Sequence, residues 1–167
     1  MTTLRFIPIF EDEKYVTACE EYETIWTVDS KKILSAFTNI AGLDLEEERI
    51  AVVVYEGVSF SGRAPNDVMK LRASYELDVK KATLIHELAH RLLFNYKTDS
   101  SEEEHKLLYL FLFDVWEQLY GLDFADRMVE VESSRTEMYK SAWGFALSMN
   151  QEQRQELLRD KLSSVSS

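Results

Sequence analysis

The sequence predicts an α+β fold, mostly helical with a small mixed sheet, and three observations carry that prediction. One short β-branched run, Ile50-Ala51-Val52-Val53-Val54-Tyr55, follows an acidic turn and ends at Gly57. Two long stretches, 13–41 and 78–162, repeat apolar side chains every three or four residues. Gly 5 and Pro 2 among 167 residues, with 46% hydrophobic residues, leave few chain breakers and ample material for a core.

Taken in order, 1–10 is a broken apolar stretch containing Pro8. It is followed by Glu11, Asp12 and Glu13 and fits neither a signal nor a transit peptide. Residues 13–41 place Tyr15, Ala18, Cys19, Tyr22, Ile25, Trp26, Ile33, Leu34 and Phe37 at helical period. One or two helices are expected, with a break near Asp29-Ser30 and Gly42 as the closing residue. The run 50–55 reads as a buried central strand. Residues 59–67, with Gly62 and Pro65, read as a loop, and 68–75 alternates as an edge strand. From Asp78, an expected N-cap, a helix runs through about Tyr96 with Ile85, Leu88, Ala89, Leu92 and Leu93 on its apolar stripe. Ser100 and Ser101 before Glu102-Glu103-Glu104 announce a further helix, apolar almost all round from Leu107 until Gly121 stops it. The remainder is helical in pattern, with Tyr139, Trp143, Phe145 and Leu147 expected on the core. One domain over 1–162 is the default at this length, with 163–167 a frayed Ser-rich tail.

The chemistry sits in Leu84-Ile85-His86-Glu87-Leu88-Ala89-His90-Arg91, which contains HExxH. Side chains at i and i+4 share one helix face, so His86 and His90 can chelate one zinc ion with Glu87 beside it. In metallohydrolases of this kind the ion lowers the pKa of a water toward ~7 and polarises a carbonyl. The glutamate is the general base that takes the proton and returns it to the leaving amine. A tetrahedral site needs a third ligand. His105, the only other histidine, follows His90 by 15 residues and opens the next helix; Glu104, Asp114 and Glu117 are the other candidates. Tyr109, Tyr120, Tyr139 and Arg63 are candidate donors to a developing oxyanion. Lys80, Lys81, Arg91 and Lys97 form either a basic rim or an ordinary solvated helix face.

On this motif, residues 50–120 resemble the zincin class of metallopeptidases, in which strands precede the HExxH helix and substrate lies along an edge strand. The resemblance implies zinc, a peptide or protein substrate, and pairing of an extended peptide with the 68–75 edge. Metzincins would carry Gly and His where this chain has Leu93 and Tyr96, and a thermolysin-like glutamate would fall on Leu110. The nearest pattern is the SprT-like one, HExxH followed after a loop by a histidine opening a helix, here His105-Lys106-Leu107. The chain departs from it in having Lys106 where glycine is usual and one cysteine where a zinc ribbon is common. ImmA/IrrE-like peptidases are a second similarity, without their usual third-ligand segment. The alternative to a zinc metallopeptidase is a catalytically silent regulatory or partner-binding protein of the same fold.

Charge and length narrow the partners. Lys+Arg 19 against Asp+Glu 30 gives −11, and the positive balance falls on 63–97 alone. Nucleic acid is therefore a poor general partner unless that segment forms a local basic surface. No apolar run reaches the 18 or so residues of a membrane span. With one cysteine, no disulfide framework and no recognisable leader, the expected location is the cytoplasm.

Overall fold

Alternation decides the centre of the sheet: in β2 (Arg49–Tyr55) Ile50, Val52 and Val54 are buried while the intervening side chains are partly or fully exposed. In the computed structural model, which describes residues 1–165, β2 lies between β1 (Thr3–Pro8) and β3 (Met69–Arg72). Both pairs are parallel, with Leu4 opposite Ile50 and Val52 opposite Met69. The expected mixed sheet is thus corrected to a parallel one. Phe60, outside the strands, meets Lys70 of β3 in an isolated antiparallel bridge. A parallel pair needs a long crossover, and α1 (Glu13–Ala36) lies between β1 and β2 in the chain. Strand β1 was not expected from the sequence.

The chain divides into two compact units, Met1–Leu34 with Asp44–Phe94, and Ser35–Leu43 with Asn95–Ser167. In the first, α1 runs without the expected break at Asp29-Ser30, because both residues are buried and no Gly or Pro interrupts it. Tyr22 of α1 is fully buried, stacks on Phe6 of β1 at 6.0 Å, and donates its hydroxyl to the Arg72 carbonyl at 2.9 Å. Helix α2 (Leu77–Leu92) starts one residue before Asp78. Asp78 therefore sits inside the first turn, where an acid favours the helix dipole, and Glu76 is the N-cap. Lys80, read from sequence as a rim cation, is instead buried and paired with Glu21 of α1.

The second unit is built around α3 (Ser101–Tyr120). Ser100 caps it by accepting the Glu103 N–H at 3.2 Å, and residues 107–116 are all buried. Around it pack α4 (Leu122–Ser133), α5 (Glu137–Leu147), α6 (Gln151–Val165) and the π-helical turn Phe37–Ala41, closed by Gly42 at φ 67. Trp143 stacks on Tyr109 at 3.7 Å and donates to Glu132 at 3.0 Å, while Asp114 takes two hydrogen bonds from the buried Arg154. Phe145 and Leu147 are corrected from core to surface, at 38% and 39% exposed. The expected tail 163–167 falls partly on the last turn of α6, and 166–167 lie outside the described residues. No helix among the described residues is long and apolar enough to cross a membrane.

Candidate metal centre

Helix α2 is buried from Ala82 through Leu92, so its polar side chains have been carried into a dry environment that is costly unless their groups are used. Four of them lie on two consecutive turns of the motif: His86 (3% exposed), Glu87 (7%), His90 (8%) and Arg91 (4%). One helical turn separates the two imidazoles. Their rings are 4.9 Å apart between centroids, and the two Nε2 atoms approach to 3.1 Å. Two nitrogens bound at ~2.0–2.1 Å to one tetrahedral zinc stand about 3.3–3.4 Å from each other, so the pair is already near chelating geometry.

His105, on the first turns of α3, is oriented by its own helix. Its Nδ1 lies 2.7 Å from the Ser101 carbonyl, an oxygen that only accepts. Nδ1 therefore carries the proton in the neutral ring, and Nε2 carries the lone pair. This backbone clamp is the arrangement that presents a ligating histidine. The ring lies against Tyr139 at 4.7 Å and Tyr109 at 5.6 Å. His86 and His90 are buried on α2 of the first unit, and His105 is buried on α3 of the second. The paired imidazoles of His86 and His90 are a donor set that suits zinc among the transition metals.

The oxyanion candidates separate. Tyr109 is fully buried under Trp143, and burial, with Glu132 beside it, pushes its hydroxyl far above the ordinary phenol range. Tyr139 is half-buried against His105. Tyr120 packs on Phe124 at 4.7 Å. Arg63 is exposed in the 61–67 turn, where its backbone N–H donates to Asp67 at 2.9 Å and its guanidinium makes no hydrogen bond or ion pair among the described residues.

Arg91 is the functional-site neighbour that sequence reasoning misread. As a rim cation it would be solvated; instead its Nε donates to Glu47 Oε2 at 2.6 Å, its Nη2 to Glu47 Oε1, and its Nη1 to the Ser61 and Asp67 carbonyls. The signal was present: Arg91 falls on the Leu84, Leu88 stripe, where a buried cation must find acceptors. Its fork ties the residue after His90 to the 47 and 61–67 loops.

The expectation of an open 68–75 edge is also corrected. Lys70 exchanges both backbone hydrogen bonds with Phe60 at 2.8 Å, and the Arg72 N–H donates to Ser59 Oγ at 3.2 Å. The outward donors of β3 are thereby taken by the chain itself. Compared with known protein families, curated proteins and solved structures, this chain has no significant match.

Proposed function

We propose that this protein is a zincin-like, zinc-dependent metallopeptidase, with His86, His90 and His105 holding the ion and Glu87 as general base. The observation that carries the reading is the buried HExxH helix itself, where the Nε2 atoms of His86 and His90 stand 3.1 Å apart with the buried Glu87 between them in sequence. When bound, zinc supplies Lewis acidity toward a carbonyl and a water acidified to near neutrality. The chain's own contributions are distinct. His86 and His90 approach one another through Nε2, His105 is held in the Nε2 lone-pair tautomer by Ser101, and the buried Glu87 accepts a proton and returns it to the leaving nitrogen. A substrate is a peptide or protein, and with the β3 edge occupied by Phe60 and Ser59 it is held by some surface other than that edge.

The test is Glu87→Gln. The variant is expected to keep its zinc and to lose peptide hydrolysis by at least about a hundredfold, the usual worth of a general base. A variant as active as the parent removes the mechanism, and a parent that binds zinc but cleaves no peptide favours the silent, partner-binding reading.

A further inference from the structure

A cleft of about 220 Å³ opens beside α3 in the second unit, on a side of that helix unrelated to His105. Glu103, Lys106, Leu107 and Leu110 line it and share one helix face, whereas His105 and Tyr109 project from the opposite face by the 3.6-residue period. The apolar part is Leu107 and Leu110 of α3, Phe145 of α5, which is 38% exposed, and Leu157 of α6.

The rim carries two lysines that the acids of this strongly acidic chain do not pair among the described residues. Lys106 is occupied by Glu102 at 3.3 Å and Glu103 at 2.9 Å. Lys97 and Lys161 also line the cleft, both exposed and neither in an ion pair among the described residues; Asp99 is the one further acid. These two ammonium groups, with Asp99 the one further acid beside them, stand over an apolar floor, and they suit a ligand with one negative charge and a hydrocarbon body. At about 220 Å³ the cleft is smaller than the roughly 300–1,000 Å³ of pockets for drug-sized molecules, so its ligand is small.

We infer that this cleft is a binding site for a small apolar monocarboxylate, its hydrocarbon body against Leu107, Leu110, Phe145 and Leu157 and its carboxylate at the ammonium groups of Lys97 and Lys161. The inference is independent of the metal-centre reading, since no residue is shared.

Hexanoate is the probe, titrated into the full chain at low salt and followed by amide chemical shifts. Saturable shifts at Leu107, Leu110, Phe145 and Leu157 are expected, with a Kd of about 1–10 mM, the range open to so few atoms. Hexylamine, with the same body and opposite charge, binds at least about tenfold more weakly, and Lys97→Ala with Lys161→Ala weakens hexanoate at least about fivefold. Leu157→Trp, with an unchanged circular dichroism spectrum, fills the floor and abolishes the shifts. Absence of saturation by ~50 mM, equal binding of hexylamine, or undiminished binding by either variant overturns the inference.

Discussion

The Nε2 atoms of His86 and His90 stand 3.1 Å apart across one turn of a buried helix, with Glu87 between them in sequence. Two neutral imidazoles that face each other can share only one N–H, whereas a divalent ion uses a lone pair from each. The protein purified without a metal-binding tag is therefore expected to carry one zinc per chain by mass spectrometry. His86→Ala and His105→Ala each lower zinc affinity by at least about a hundredfold in a chelator competition, because each removes a ligand and not merely its support. If His105→Ala leaves the affinity unchanged, His105 is not the third ligand; Asp114, held by Arg154, is not free to replace it.

Arg91 and Glu47 form a bidentate pair in which the guanidinium side chain is fully buried and the carboxylate is 12% exposed. Removing one partner strands the other charge, so Arg91→Met is expected to destabilise the protein by about 3–5 kcal/mol in urea melts. Replacing both, Arg91→Met with Glu47→Leu, recovers most of that loss if the pair itself contributes little net stability. Failure to recover would assign the loss to the Ser61 and Asp67 carbonyls that Arg91 also holds.

The same pair makes stability depend on pH. Burial raises the Glu47 carboxyl, but the Arg91 hydrogen bond, the Asn66 N–H and the Arg91 charge outweigh it and hold the group below its ordinary value of 4.5. A carboxyl whose folded pKa lies below the unfolded one stabilises fully above the unfolded value and loses that contribution as pH falls through the folded one. Glu47→Gln should consequently be least stable relative to the parent near pH 7, and the gap should close below about pH 4. A gap that is constant across this range would mean that the Glu47 charge contributes nothing.

Local rules made much of this fold legible. Gly42 and Gly121 close their elements where the sequence places them, Ser100 caps α3, and β2 is central to the sheet. What was not legible depends on contacts distant in sequence. Strand β1, six residues with Pro8 at its end, acquires its identity only by pairing with a strand some 46 residues later, as Thr3 does with Arg49. Lys80 and Arg91 look like solvated cations until Glu21 and Glu47 arrive from α1 and the 42–48 loop. The metal site divides the same way. Chelating spacing within α2 is a property of the helix and could be read directly, while the occupied β3 edge depends on how the 56–68 loop folds back.

That loop supplies a final pair of contrasting predictions. Gly62 has φ +92, and a Cβ there would stand 2.8 Å from Asp67 Cβ and 3.1 Å from Arg91 Nη1. Asp67 accepts the Arg63 and Ala64 N–H groups at 2.9 and 3.1 Å, and Arg91 holds the carbonyls at both ends, so neither neighbour can retreat without breaking a hydrogen bond. Gly62→Ala combines backbone strain with a clash and is expected to destabilise by about 1–3 kcal/mol. Gly144 lies in α5 with nothing within 4 Å of its would-be Cβ, and there Ala removes unfolded-chain entropy without strain. Gly144→Ala should stabilise by about 0.5–1 kcal/mol. Thermal melts of the two variants check both signs at once: if Gly62→Ala melts with the parent, the loop tolerates displacement and Arg91 does not hold it as described.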